Sequence, residues 1–523
     1  LDLDCDFHDI EDEAAKILKI NKNRLLKTEI FKKSVDCRKG EVRFVFTVDV
    51  IVDGDEDRII AKLNNSRISK SAKYEYVIPQ SARKSTLPPV VAGFGPAGVF
   101  AALILARSGH CPIVVERGKD VDSRTADVNN FWTNRILDEN SNIQYGEGGA
   151  GTFSDGKLTT GIKDSRCRFI FEEFVRHGAP DDILINAKPH IGTDKLKSTV
   201  KSIREEIISL GGTVLFETRL TNIIVANNFI HGVTVQDKFG REHDIETDAL
   251  ILSVGHSARD TVEMLYGKGI NMMQKPFSVG ARIEHPQEFI NTVQYGEYKN
   301  HPSLKAADYK LACHPPHGRG AYTFCMCPGG TVVCASSEKG GVVTNGMSEY
   351  ARDKENANSA ILVGIEPVDF PSEHPLSGFS LQREIEQKAF LLGGEDYTAP
   401  ATLVGDFIKG QKSSRLGAVK PSFPTGVVAD DISRVLPEKV VNTMRDALLQ
   451  MDKKLKGFAM EDAVLTAPET RSSSPVRIIR DEFFQTNIRG LYPCGEGAGY
   501  AGGIVSAGVD GVRCAEAVLS DEC

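Results

Sequence analysis

Three glycines carry the clearest chemical signal in the chain. Gly93, Gly95 and Gly98 follow the apolar run Val90-Val91-Ala92 in G-x-G-x-x-G spacing, with Pro96 and Ala97 between them. In such a turn the first glycine permits a tight reversal. The second lets the backbone approach a pyrophosphate, and the third lets helix and strand pack closely. N–H groups at the start of the following helix face the phosphates. Glu116, followed by Arg117, closes a second apolar run and lies where a carboxylate can receive adenosine ribose hydroxyls. A second glycine-dense stretch, residues 145–157 (YGEGGAGTFSDGK), contains Gly148, Gly149 and Gly151. It permits close backbone approach to a ligand, and Thr152, Ser154 and Asp155 add hydrogen-bonding groups.

Other residue types suggest chemistry beyond nucleotide binding. His314, His317 and Arg319 lie close together, with Tyr322 just beyond. Histidine transfers protons near neutral pH, and arginine forks onto carboxylate or phosphate. These three are the candidates for substrate binding or proton transfer. Arg282 and Glu284 alternate along a strand-like run, so they share a face and are expected to pair. Arg471, Ser472 and Arg477 precede the C-terminal glycine-rich segment. Cys325 and Cys327 form C-x-C. Alternate strand residues share a face but bridge poorly unless the backbone turns, so a redox pair and separate buried or reactive thiols both stay open. Zinc held by Cys313, Cys325, Cys327 and Cys334 is not expected, because C-x-C departs from C-x₂₋₄-C ligand spacing.

These groups need elements to position them. Val90 to Ala92, an apolar helix through Leu105 and a strand from Pro112 to Val115 make a βαβ unit. A helical pattern from Lys195 to Leu210 ends at Gly211-Gly212, and strand-like runs follow at 213–216, 223–225 and 230–235. Asp248 to Val254 reads as a buried strand leaving into Gly255-His256. Residues 270–460 have a different texture, with helical patterns at 381–392 and 437–455. Near the C-terminus a strand, Leu491 to Cys494, meets Gly495-Glu496, and a small-residue helix opens near Gly502-Gly503-Ile504. The expected fold class is α/β: a Rossmann-like nucleotide-binding domain with a central parallel sheet and β-meander, an inserted α+β cap, and a small N-terminal α+β domain. The expected boundaries are 1–85 for the N-terminal domain and linker, 86–270 with 460–523 for the nucleotide-binding domain, and 271–459 for the cap.

Composition narrows the class. At 523 residues the chain is long enough for two or three domains. A net charge of −8 gives no reason to expect nucleic acid or an anionic membrane as partner. No apolar run is long enough to span a bilayer. The acidic start lacks the apolar region of a signal peptide. Eleven cysteines, an odd number, do not suggest a disulfide scaffold, so a reducing cytoplasm is the expected compartment.

The pairing of VAGFGPAG with LYPCGEGAGYAGGIVSAGVDG resembles the two-part FAD signature of glutathione-reductase-type flavoproteins, and DALILSVG resembles their intermediate strand motif. More closely, GEGGAGTFSDGKL, VGARIEHPQEFI, FCMCPGGTVV and RSSSPVRIIRD resemble the uncharacterised FAD-dependent, or NAD(FAD)-utilising, dehydrogenases. That resemblance implies non-covalent FAD. Gly93, Gly95 and Gly98 would line the pyrophosphate, and Glu116 would hold the adenosine ribose. Gly495-Glu496 would meet the ribityl chain or pyrophosphate, where many relatives have Asp. Leu220 would touch adenine, and Gly255 would face the cofactor. The helix starting near Gly503 would direct its positive end at the flavin. No second G-x-G-x-x-G follows a strand, so NAD(P)H would dock transiently as reductant or be absent. The implied activity is hydride transfer between FAD and a small organic substrate at the cap interface. An NAD(P)H-dependent flavin monooxygenase and a non-catalytic FAD-binding module are the alternatives.

Overall fold

The computed structural model describes residues 1–72, 75–316 and 318–521. Its innermost layer is built from short β-branched and aliphatic runs. Strands Leu491–Pro493, Leu250–Leu252, Val90–Ala92, Ile113–Val115 and Thr213–Leu215 lie side by side in that order. All neighbouring pairs are parallel. A parallel sheet must be covered on both faces, and alternation along each strand decides which side chain goes where. Val91, Val114 and Ile251 pack against helices, among them Pro96–Arg107, Thr193–Ser209 and Ile504–Ser520. Val90, Ala92, Leu250 and Leu252 pack on the other face with Leu220, Val233 and Val235. Those three belong to an antiparallel meander of Thr218–Ala226, Phe229–Asp237 and Glu242–Glu246.

The Pro96–Arg107 helix starts as its sequence dictates. Gly95 is the N-cap, and Pro96 occupies a first-turn position where a missing N–H costs nothing. Its residues 97–106 are buried throughout, as expected of a helix that is apolar all round. One partner is the Ile504–Ser520 helix, which approaches through glycines. A Cβ on Gly511 would sit 2.1 Å from the Ala97 carbonyl oxygen, and one on Gly508 would sit 2.9 Å from the Phe100 ring.

A second, seven-stranded sheet runs Ala312–Cys313, Ala321–Cys327, Asn356–Ile365, Phe277–Pro286, Val464–Glu469, Ala399–Leu403, Val427–Ala429. Helices Ser377–Gly393 and Glu438–Lys454 bury Ile385, Ala389, Met444 and Leu448 in its core. The strand Phe277–Pro286 is buried at almost every position, including Arg282, Glu284 and His285. Arg282 and Glu284 do not pair as expected. Arg282 Nε and Nη2 donate to Glu469 at 2.6 and 2.8 Å, and Nη1 donates to Asn358 at 3.0 Å. Glu284 instead accepts from Ser422 Oγ at 2.6 Å and Asn356 Nδ2 at 3.0 Å. Alternate residues of one strand stand about 6.6 Å apart, whereas neighbouring chain segments bring in nearer partners.

At the N-terminus, helix Phe7–Leu18 accompanies a hairpin of Leu25–Asp36 and Arg43–Val52, and helix Glu56–Leu63 follows. The stretch 79–89, expected as a linker, is irregular but docked. Ala82 and Arg83 N–H groups donate to the Leu519 carbonyl, and the Arg83 guanidinium pairs with Asp248. Among the described residues, no helix is long and apolar enough to cross a membrane.

The glycine contact between the two helices makes a quantitative prediction. Gly511→Ala would push a methyl group into the Ala97 backbone, an overpacking expected to cost about 1–3 kcal/mol. Gly267→Ala lies on an exposed helix end with no neighbour within 4 Å and should be neutral or stabilising by about 0.5–1 kcal/mol. Denaturant unfolding of both variants checks the contrast.

Candidate functional site

The G-x-G-x-x-G turn is shaped by steric demands that differ at each glycine. Gly93 has φ +95°, and a Cβ there would meet the Ser253 carbonyl oxygen at 2.4 Å. A Cβ on Gly98 would lie 2.0 Å from the Gly93 oxygen, so this position sets how closely the helix meets the strand. Gly95 is different. Its hypothetical Cβ has only Gly149 Cα near it, at 3.7 Å, and otherwise points into open space. The protein's own packing does not require glycine there, and a close-fitting ligand would.

Glu116 fastens this turn to two other segments. Its Oε2 accepts from the Phe94 N–H at 2.8 Å, and its Oε1 accepts from Gly118 and Gly146, both at 2.9 Å. Three of about four lone-pair sites are therefore filled by backbone donors, which leaves one for a ligand hydroxyl. Phe94 O in turn accepts from Gly148 N–H at 2.8 Å. The stretch 145–157 is thus laid against the glycine turn, with a 3₁₀ turn at Gly149–Phe153.

A cleft of about 700 Å³ opens beside these segments, within the range of ligand sites. Gly93, Gly95, Pro96, Ala97 and Glu116 line it, as do Gly149, Gly151 and Ser154, Gly255, and Glu496, Gly502, Gly503 and Ile504. Two helix N-termini, at Pro96 and Ile504, therefore meet at one cavity. Their unpaired N–H groups and positive dipole ends favour anionic groups such as a pyrophosphate. Gly255, Gly502 and Gly503 have no atom within 4 Å of a hypothetical Cβ, so the backbone there is bare toward the cavity.

Other expected contacts lie behind the lining. Gly98 sits in the helix–strand contact. Gly148 and Thr152 brace the loop from within, where the Thr152 hydroxyl donates to Glu147 O at 3.1 Å and its carbonyl accepts from Thr193 at 2.7 Å. Gly495 donates its N–H to buried Asp510 at 2.8 Å. Arg117 turns away to Asp260 and Thr261, at 2.8 and 3.0 Å, and lies over the Tyr145 ring. Leu220 is core beneath the parallel sheet, because its register on the meander points it at Val90 and Val115. Arg319 borders a separate hollow and pairs with Asp369 at 2.7 Å. His314 is exposed beside Gly320, and His317 lies outside the described residues. The structure does not bring Arg319 or His314 to the cleft.

The far wall comes from residues scattered through the chain. Tyr309, Thr323, Cys325, Met326 and Asn345 belong to the region of the mixed sheet, while Lys157, Arg352 and Arg471 supply positive charge. Asp155 accepts from Arg352 Nε at 2.9 Å. Its carboxyl is held below the usual range by Lys157 and Arg352, against a desolvation that raises it. Arg471 donates to Glu386 at 2.9 Å, and fully buried Arg259 binds the same carboxylate at 2.9 Å. Burial and these two guanidiniums keep His256 neutral, with its pKa pushed down to about 3. Of this wall, Arg471 and Cys325 stand out in sequence, and Asp155 and Lys157 close the second glycine-dense stretch. The rest carry no local pattern, since their proximity is created by the packing of distant segments.

Glu496 is the group most suited to titrate in use. Burial pushes its pKa up to about 7, while Lys275 and a hydrogen bond from the Gly503 backbone oppose the rise. A carboxyl raised on folding favours the folded state at low pH and withdraws that preference as pH climbs through its folded pKa. Ligand-free protein should therefore lose unfolding free energy between pH about 4.5 and about 7 on account of Glu496. Glu496→Gln should flatten that part of the profile, read by urea unfolding across the pH series.

A family described as "FAD-dependent protein, C-terminal domain-like" matches residues 276–472, and a domain of unknown function matches residues 1–51. A protein of Clostridium beijerinckii, described as uncharacterized, is 47% identical over 523 residues, covering 99% of this chain and 97% of that protein. Among solved structures, a variant of E. coli quinol fumarate reductase FrdA shares 13% identity over 83% of this chain and 70% of that one, with a TM-score of 0.34. The flavin-dependent halogenase CmlS shares 13% over 80% and 54%, with a TM-score of 0.35. The flavin-dependent monooxygenase PieE, in complex with FAD and substrate, shares 15% over 55% and 44%, with a TM-score of 0.27.

Proposed function

Because the chain belongs to the same family as the Clostridium beijerinckii protein, and its residues 276–472 match the FAD-dependent C-terminal domain, we propose that it is an FAD-dependent oxidoreductase. In this reading it transfers hydride between non-covalently bound FAD and a small organic substrate. The observation that carries the proposal is the single cleft shared by the two glycine turns and by residues of the mixed sheet.

The residues present fit the group. Gly95 leaves room that a Cβ would fill, and Gly502 and Gly503 are bare toward the same cavity. In this reading the Gly93–Gly98 turn and the N-terminus of Pro96–Arg107 hold the pyrophosphate. The remaining lone-pair site of Glu116 takes a ribose hydroxyl. Gly502, Gly503 and the N-terminus of Ile504–Ser520 hold the end of the cofactor remote from the adenosine. When bound, FAD supplies the hydride exchange with an organic substrate.

The chain's own groups would bind, orient and move protons. Glu496 can hold or release a proton near neutral pH. Lys157 and Arg471, both facing the cleft, suit a substrate that bears a carboxylate or a carbonyl. Tyr309, Met326 and the neighbouring strand residues would close the cavity against water.

Purified protein should be yellow and release FAD on heating; a colourless protein that cannot be loaded with FAD overturns the reading. Gly95→Ala sharpens the test, because the nearest atom to its added methyl is a 3.7 Å contact. The variant should unfold at an unchanged midpoint yet bind FAD about tenfold more weakly, equivalent to about 1.4 kcal/mol. Fluorescence titration of apoprotein with FAD reads the difference, and unchanged affinity counts against the assignment of the turn.

A further inference from the structure

The strand Ala321–Cys327 loses its regularity at the point where it faces the cleft. Phe324 pairs with Ala360 and Cys327 pairs with Asn358. Three residue steps on this strand therefore face two on its partner, which is a β-bulge. Cys325 sits in the bulge with φ +44°, a left-handed conformation that non-glycine residues seldom adopt and that clusters at functional sites. In a regular strand two alternate cysteines stand about 6.6 Å apart with parallel side chains, at the edge of what a disulfide spans. The bulge breaks that alternation. The Cys327 thiol instead turns toward Cys325 and donates to its carbonyl oxygen at 3.2 Å.

The surroundings treat the two sulfurs unequally. Cys325 lines the cleft together with Glu496 and Lys157, whereas Cys327 is fully buried behind it. The neighbouring Cys327 thiol, with the nearby charges of Lys157 and Arg282, holds Cys325 well below the ordinary thiol range, against desolvation. Burial and the neighbouring Cys325 hold Cys327 well above it. The two sulfurs thus differ in acidity, the cleft-lining one lowered and the buried one raised. The charge of Cys325 is also felt by Glu496, at the opposite glycine turn of the same cavity.

We infer that Cys325 and Cys327 are a redox-active dithiol that exchanges two electrons with the flavin across the cleft. The inference rests on the FAD reading above. In the oxidising direction the Cys325 thiolate and the Cys327 thiol lose two electrons, the S–S bond forms and the Cys327 S–H bond breaks. Oxidised flavin takes the two electrons and that proton, becoming the anionic reduced form. In the reverse direction reduced flavin reopens the disulfide. The pair gives the protein a second two-electron store beside its cofactor.

The test uses the purified flavin-bearing protein. Anaerobic titration with dithionite should consume about four electrons per flavin in the wild type, and about two in Cys325→Ser or Cys327→Ser, since each dithiol–disulfide couple carries two electrons. Partial reduction of the wild type should also produce a long-wavelength thiolate-to-flavin absorbance that both variants lack. Independently of any variant, denaturing alkylation followed by mass spectrometry should find both cysteines blocked in oxidised protein and modified after reduction. A wild type that takes up about two electrons per flavin, with both cysteines already free in the oxidised state, overturns the inference and leaves the FAD reading intact. A colourless protein that cannot be loaded defeats the FAD reading and flavin exchange with it; the alkylation pattern then decides whether the pair cycles at all.

Discussion

The cleft depends on how closely two helices approach. Pro96–Arg107 and Ile504–Ser520 each begin on a glycine cap, and each directs its N-terminal N–H groups into the same cavity. They can do so only because Gly511 presents hydrogen where any larger residue would strike the Ala97 carbonyl. Small residues on one helix thus decide where the dipole of the other points. A shift of an ångström between them would separate the two glycine turns, and no local change within either turn could restore the geometry.

Around this junction the charges are buried in pairs. Arg282 with Glu469, Arg259 and Arg471 with Glu386, and Arg352 with Asp155 all lie in or behind the cleft wall. Removing one partner of such a pair leaves an uncompensated buried charge, at a cost of about 3–5 kcal/mol. The pairs add little to net stability as units, yet they penalise any arrangement that separates the segments they join. Arg259 and Arg471 belong to segments 212 residues apart in sequence, and one carboxylate holds them both. The wall facing the glycine turns is therefore held in register by electrostatics as much as by packing.

What was legible in sequence follows from range. The βαβ unit, the meander strands and the helix after Gly503 could be read because period, apolar content and turn glycines are local signals. The different demands on Gly93, Gly95 and Gly98 were legible for the same reason. The side chains of Leu220 and Arg117, expected at the cofactor, face the core and Asp260 instead, because position along the chain says nothing of which way a side chain faces once a meander or a loop has packed. Arg319 carries a residue type suited to anion binding, and the fold gives it Asp369 as partner instead. Arg352 and Asn345 reach the cleft through the packing of distant segments, which no window of sequence contains. The bulge at Cys325 has no local signature, because C-x-C in an alternating run reads as strand whether or not the backbone turns there.

The turns at Gly95 and Gly503 stand about 400 residues apart in sequence. During synthesis the first is complete long before the second exists. The central parallel sheet likewise waits for Leu491–Pro493, its edge strand, and the segment at Ala82 and Arg83 waits for Leu519 before it can dock. Contacts of such separation form late, because the intervening chain must be ordered first. A ribosome-bound chain would thus expose one half of a nucleotide cradle with nothing to close it. Any cofactor held by both halves could be captured only once the segment around Gly503 has been made and docked, so loading and that docking would be one event.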